Sequence, residues 1–333
     1  MKLELIFSQF IFYKNESYPF SHCASIYEKR DGNILVVWYS GKYETSPDQA
    51  ILISEFDGEN WSKPQIVVDT PNKADGNPVL FEWKDRLYLF YVTIEGGGLP
   101  PDLGKNFVEE LQKGNLKGAW DTCSIRYRES QDGGKSFGEE KIFRKEWGWM
   151  IRSRPLILSN GELLFPFYDE REWKVFLGIT KDGFDSFEFY GGLKTPKGCI
   201  HPVVVEVKNG ELVCFMRTRD GFIYKSKSID FGRTWENPSP TSIKNPNSGI
   251  DLIKLRKGYY LLAYNDSSEK RTPLSLALSK NLEDWIKVLD VENEPFEFSY
   301  PNLLEAKSGN IHLVYTWKRT HIKHCIFKFL EEE

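Results

Sequence analysis

The amino-acid sequence predicts an all-β protein, a six-bladed β-propeller read as one domain over residues 1–333, its ring closed by pairing an N-terminal strand with the last blade. Three observations carry this. One hairpin phrase recurs six times, its copies are spaced at close to one blade length, and a turn-forming phrase follows each of the first five.

The hairpin phrase is fullest at His201–Arg217, where a polar residue precedes Pro202, an apolar run leads to the turn Asn209-Gly210, and a second apolar run ends at Arg217. Its other copies begin near Ser21-His22, Asn77-Pro78, Arg154-Pro155, Gly249-Ile250 and Tyr300-Pro301. With residues 24, 78, 155, 202, 250 and 301 taken as equivalent, the steps are 54, 77, 47, 48 and 51, the length of four short strands with their turns. The long step holds a Gly- and Pro-rich insert at about 95–121, expected as a loop over one face with a short helix at Asn106–Gln112.

The turn phrase has the form Ser-x-Asp-x-Gly-x-(Ser/Thr)-aromatic at Ser130–Phe137 and Ser228–Trp235, with looser copies at Ser54–Trp61, Thr180–Phe187 and Ser279–Trp285. An Asp accepts from turn amides, Gly takes positive φ, and the aromatic packs beneath, which suits the link between the third and fourth strands of a blade. The sixth unit ends in the alternating run Thr320–Phe329 with no such turn, so Leu3–Phe12 is the expected donor of its fourth strand.

A net charge of −4 gives no reason to expect nucleic acid or an anionic membrane as partner. No apolar run reaches the roughly 18 residues of a membrane helix. Met1–Phe7 lacks the features of a signal peptide, and five singly placed Cys read as buried thiols, so a cytoplasmic location is expected. His321 and His324 would face opposite sides of one strand, and Gly96-Gly97-Gly98 lacks the rest of a phosphate cradle, so neither is taken as a site.

Six hairpins with Asp-box turns resemble the sialidase (neuraminidase) superfamily over nearly the whole chain, and most of all its branch of predicted neuraminidases with BNR-type repeats. The resemblance implies that strand starts and ends converge on one mouth, and that no cofactor is needed. Residue by residue it implies Tyr300 as nucleophile, Asp48 as acid/base, and Arg217 and Arg271 as two of three arginines that bind a substrate carboxylate. Two positions depart from the pattern: His22 stands where the first arginine opens blade one, and His201 where the activating Glu opens blade four. A neutral His is a workable base for a phenol, which makes Tyr300 with His201 the expected catalytic pair. His22 or Arg154 then completes an acid-binding set, with Asn77, Asp251 and Arg319 also expected at the mouth. The plain alternative for any one of these residues is a solvated cap on a strand end.

Three functions follow. The first is an exo-acting glycoside hydrolase that removes a terminal acidic sugar from an oligosaccharide or glycoconjugate. The second is a uronate-specific glycosidase or lyase that uses His and Tyr. The third is a non-catalytic sugar-binding propeller, with Trp38 and Trp317 stacking on sugar rings. The oligomeric state and any structural cation stay open at this point.

Overall fold

A computed structural model describes residues 2–95 and 120–330. After β1 (Lys2–Phe12), the first sheet holds β2 (Phe20–Glu28), β3 (Ile34–Gly41), β4 (Ala50–Phe56) and β5 (Gln65–Val68). The second holds β6 (Asp75–Trp83), β7 (Arg86–Ile94), β8 (Cys123–Ser130) and β9 (Lys141–Arg144). The third holds β10 (Trp149–Met150), β11 (Leu156–Ile157), β12 (Leu163–Asp169), β13 (Lys174–Thr180) and β14 (Glu188–Leu193). The fourth holds β15 (Cys199–Lys208), β16 (Glu211–Thr218), β17 (Phe222–Ser228) and β18 (Ser239–Lys244), and the fifth β19 (Asp251–Lys254), β20 (Tyr260–Asn265), β21 (Leu274–Ser279) and β22 (Ile286–Glu292). The last holds β23 (Phe298–Glu305), β24 (Ile311–Trp317) and β25 (His321–Leu330), with β1 beside β25 as its fourth strand. The protein is a six-bladed β-propeller closed by its N-terminal strand, as the repeat predicts. Most of the expected insert, including the short helix at 106–112, lies outside the described residues; its far end carries a 3-10 turn at Trp120–Thr122.

The strands form where Val, Ile, Leu and aromatics cluster; inner strands such as β3 are buried along their whole length, while β14 on an outer edge is largely accessible. The Asp boxes are built as expected. Asp132 Oδ1 accepts from Ser136 N at 2.9 Å and Asp230 Oδ1 from Thr234 N at 2.8 Å. Hydrogen bonds from Ser136 and Ser130 hold the Asp132 carboxyl well below the usual carboxylate range. Gly134 and Gly232 take φ of 91° and 86°.

The proline of the hairpin phrase shapes the head of the first strands. It has no N–H to give the ladder, and the register shifts across it, between Gly76 and Val79 and between Ile200 and Val203. The same shift occurs between His22 and Ser25, where Ala24 replaces the proline. At the corresponding position Cys23, Asn77, His201 and Tyr300 all take left-handed backbone, with φ of 58°, 45°, 50° and 54°. Each such residue costs about 1–3 kcal/mol and re-aims a side chain out of the strand's alternation. The third blade is the exception: β11 is reduced to two residues, and the stretch before it, with Pro155, runs outside the ladder.

Packing divides the chain into two compact units, one of Met1–Ile6, Arg152–Ile311 and Phe327–Glu333, the other of Phe7–Ile151 and His312–Ile326. In the first unit, Val203, Phe215 and Ile223 pack against Ile250, Leu252 and Leu262, filling the space between the fourth and fifth sheets. In the second unit, His312 of β24 and His324 of β25 share a hydrogen bond, Nδ1 to Nε2, at 3.0 Å. The rings of Phe7, Phe56 and Trp61 enclose His324 at 5.4, 5.2 and 5.2 Å. Burial pushes His312 down to about 4 and His324 well below the ordinary histidine value.

Unfolded, these imidazoles take up protons near pH 6.5, whereas folded His312 does so only near 4. The unfolded state therefore binds more protons in that window, and stability is lost as pH falls through it. Urea midpoints measured from pH 7 to pH 4 should drop by the equivalent of about 3 kcal/mol, and His312→Gln should flatten the slope; an unchanged slope in that variant would assign it elsewhere.

Candidate active site

In the first unit the left-handed residues His201 and Tyr300 meet ring edge to ring face, centroids 5.2 Å apart and planes at 78°. Gly249 makes room for both: a Cβ there would stand 3.3 Å from His201 Nδ1 and 3.5 Å from Tyr300 Cγ. Tyr168 packs edge-on to His201 at 4.9 Å.

Arg217, from the end of β16, enters this pair. Its Nη1 donates to the Tyr300 hydroxyl oxygen at 2.8 Å and lies 3.4 Å from His201 Nδ1, and its Nε donates to Asn247 Oδ1 at 2.7 Å. A guanidinium has donors only. The phenol oxygen therefore accepts, and so does His201 Nδ1, which places the proton of a neutral ring on Nε2.

Two more arginines flank the same phenol ring. Arg271 lies 5.6 Å from its centroid, with Nη1 donating to Glu297 Oε1 at 2.9 Å and Nη2 to the Asn247 carbonyl at 3.1 Å. Arg152 lies 5.4 Å from the centroid and donates from Nη2 to the Pro301 carbonyl at 3.0 Å. Arg152 and Arg217 are 2% exposed and Arg271 6%. Among the described residues the one carboxylate in ion-pair range of the three is Glu297, and the buried Nε atoms of Arg152 and Arg271 meet no acceptor. Buried cations short of counter-charge are costly, and the arrangement is one that an anion would stabilise.

Arg154 and Asp251 are joined instead to each other. Arg154 Nη2 meets Asp251 Oδ2 at 2.8 Å and also donates to the Leu303 carbonyl, while the same Asp251 oxygen accepts from Asn302 Nδ2 at 2.9 Å and Leu303 N at 2.6 Å. Asp251 thus ties β19 to β23. The arginine that lies over Tyr300 is Arg152, two residues before the one to which the sequence reading gives an acid-binding role.

The second unit holds the other expected residues. His22 is fully buried, its Nδ1 2.8 Å from Thr316 Oγ1, which also accepts from Cys23 N at 3.1 Å. Asn77 accepts from Cys23 Sγ at 3.3 Å and donates to the Ile151 carbonyl at 3.1 Å. Arg319 is ion-paired with Glu44, whose other oxygen accepts from the Tyr39 hydroxyl at 3.3 Å. Asp48 lies half-exposed in the loop between β3 and β4 and accepts from Lys42 N at 3.4 Å. Trp38 is not a stacking surface: it is fully buried, and its Nε1 donates to Ser40 Oγ at 3.0 Å. Trp317 is half-buried, with His321 edge-on at 5.3 Å.

Sequence reasoning missed Glu297 and Asn247. Glu297 carries no motif of its own. Asn247 sits in Asn245-Pro246-Asn247-Ser248-Gly249, a turn-rich run whose one visible signal is that Asn tolerates left-handed backbone, which it adopts here at φ 54°.

Fold and site together define a sialidase-like propeller with an arginine-ringed tyrosine. The BNR repeat-like domain family matches residues 32–313, and the chain belongs to that family. A protein of unknown function from Dyadobacter fermentans superposes with a TM-score of 0.77 at 17% identity, covering 98% of this chain and 99% of the other. The NanB sialidase of Streptococcus pneumoniae gives 0.77 at 14%, covering 96% and 70%. The intramolecular trans-sialidase of Ruminococcus gnavus gives 0.71 at 15%, covering 96% and 97%. At these identities the likeness is one of fold. No curated protein matches the chain.

Glu297→Ala should leave Arg271 as a buried cation without its carboxylate. The expected loss is about 3 kcal/mol, read as a lower urea midpoint; an unchanged midpoint would mean that Arg271 does not depend on Glu297.

Proposed function

We propose that this protein is an exo-acting, sialidase-type glycoside hydrolase that removes a terminal acidic sugar from small glycosides in the cytoplasm. The observation that carries this reading is the set Arg152, Arg217 and Arg271 around the Tyr300 ring with one carboxylate among them. An acid group bound by these arginines brings its sugar to the phenol oxygen.

In this reading Tyr300 Oη bonds to the anomeric carbon as the glycosidic C–O bond breaks, an exception to the two-carboxylate scheme. Arg217, already on that oxygen at 2.8 Å, offsets the negative charge that develops there. The phenol proton passes to His201. His201 Nδ1, 3.4 Å from Arg217 Nη1, offers the lone pair that takes this proton while Nη1 stays on the phenol oxygen. The leaving oxygen gains its proton from a general acid. Water then attacks the anomeric carbon of the tyrosyl glycoside: its hydroxyl goes to the sugar, its proton restores the general acid, and His201 returns the first proton to the Tyr300 oxygen.

One observation favours a second reading. Tyr300, His201 and Arg217 are joined at a single point, and the same three groups could neutralise a uronate carboxylate and abstract the adjacent C–H proton in a β-elimination. Elimination leaves an unsaturated product that absorbs in the ultraviolet, whereas hydrolysis does not.

Against a panel of small acidic glycosides, Tyr300→Phe should lower kcat by on the order of 10³-fold or more with an unchanged circular dichroism spectrum. Arg152→Met should mainly raise KM, by about 10-fold or more. Full activity in Tyr300→Phe would remove the tyrosine from the chemistry.

A further inference from the structure

One arginine beside this cluster has no part in the proposed chemistry. Arg219 follows β16, two residues beyond Arg217, and is exposed at the surface. Its guanidinium carbon lies 3.3 Å from the centroid of the Trp173 ring. It makes no hydrogen bond or ion pair among the described residues; Glu170 acts on it through space, outside ion-pair range.

The indole beneath it is rigidly placed. Trp173 sits between β12 and β13 at φ 49° and is 8% exposed. Its carbonyl accepts from Cys199 N at 2.9 Å. Gly198 is pressed so closely that a Cβ there would stand 2.6 Å from the Trp173 Cβ. Arg217 reaches the same ring from 5.9 Å, so one indole has at it both Arg219 and the arginine that holds Tyr300.

A guanidinium lying flat on an aromatic ring has its N–H donors directed outward in its own plane, and the stack removes much of the rotamer freedom that a free arginine loses on binding. Such a fork suits a planar or tetrahedral oxyanion, to which its bonds are roughly twice as strong as those to a neutral hydroxyl. Desolvation holds the Arg219 pKa below the ordinary arginine value; the Glu170 charge acts the other way, and the Arg217 charge adds to the lowering.

We infer that Arg219, stacked on Trp173, is a second anion-binding position beside the Tyr300 cluster, so that the preferred substrate carries two acidic groups, one on the terminal sugar and one on the unit attached to it. This rests on the reading of the Tyr300 cluster as the site for the first acid group.

The test is calorimetric binding to the Tyr300→Phe protein, with and without Arg219→Gln. It uses two ligand pairs that differ in the number of carboxylates: 3′-sialyllactose against α2,8-linked disialic acid, and methyl galacturonoside against digalacturonic acid. In at least one pair the two-carboxylate member should bind about 10-fold more tightly. Arg219→Gln should abolish that advantage and leave the one-carboxylate member within about twofold of its original affinity. Arg219→Lys, which keeps the charge but not the flat fork, should restore only part.

Equal affinities within both pairs, an advantage that survives Arg219→Gln, a parallel loss for both members, or no binding by any of the four would each overturn the inference. The hydrolase reading fails separately. Arg219-dependent binding without turnover of any acidic glycoside by the unsubstituted protein would remove that reading and keep the second position. Turnover that ignores both the second carboxylate and Arg219 would do the reverse.

Discussion

The need to satisfy a nearly buried charge at Arg217 organises the first unit. A guanidinium that is 2% exposed must find lone pairs inside the protein. It takes them from three separate places: the Asn247 side chain between β18 and β19, His201 in β15, and Tyr300 in β23. Each of these residues has left-handed backbone. That conformation is strained for a non-glycine residue, and it persists because the surrounding ladder and the arginine over-determine it. Asn247 also gives its carbonyl to Arg271, so one strained residue sets the spacing of two cations.

The same backbone device recurs with other side chains. In the second unit Cys23 and Asn77 occupy the position that His201 and Tyr300 occupy in the first. There the re-aimed groups bond to each other, to Thr316 and to the Ile151 carbonyl. In four of the six blades the repeat thus places a left-handed residue at the strand head, and the residue standing there decides whether its side chain ties neighbouring strands or joins the arginine cluster.

Charge illustrates the difference between composition and placement. The chain is acidic as a whole, at −4, and that figure says nothing of three guanidiniums around one phenol ring. Exposed ion pairs such as Arg30–Asp85 and Lys208–Glu211 contribute little to stability. The Tyr300 cluster differs because its arginines are buried, only Arg271 among them has a carboxylate partner in ion-pair range, and a fourth arginine lies close by on Trp173.

By itself the sequence determined the blades and the Asp-box turns, because each is a short-range pattern: apolar runs around a turn, a proline at a strand head, a Ser-Asp-Gly box closed by hydrogen bonds among neighbours; the closing strand followed from the sixth unit lacking a fourth strand of its own. The places of Tyr300, His201 and Arg217 at hairpin ends were legible for the same reason, while their roles came from the resemblance to the sialidase superfamily. Only the tertiary structure decided that Arg152 and not Arg154 lies over Tyr300, that Asp251 is tied to Arg154, that Trp38 is core, and that Glu297 and Asn247 hold the arginines in place. The pairs Arg152–Pro301 and Arg154–Asp251 join residues about a hundred positions or more apart in the chain. Local pattern carries no record of such meetings, since a blade's period says which strand a residue belongs to and not which distant charge its side chain will find.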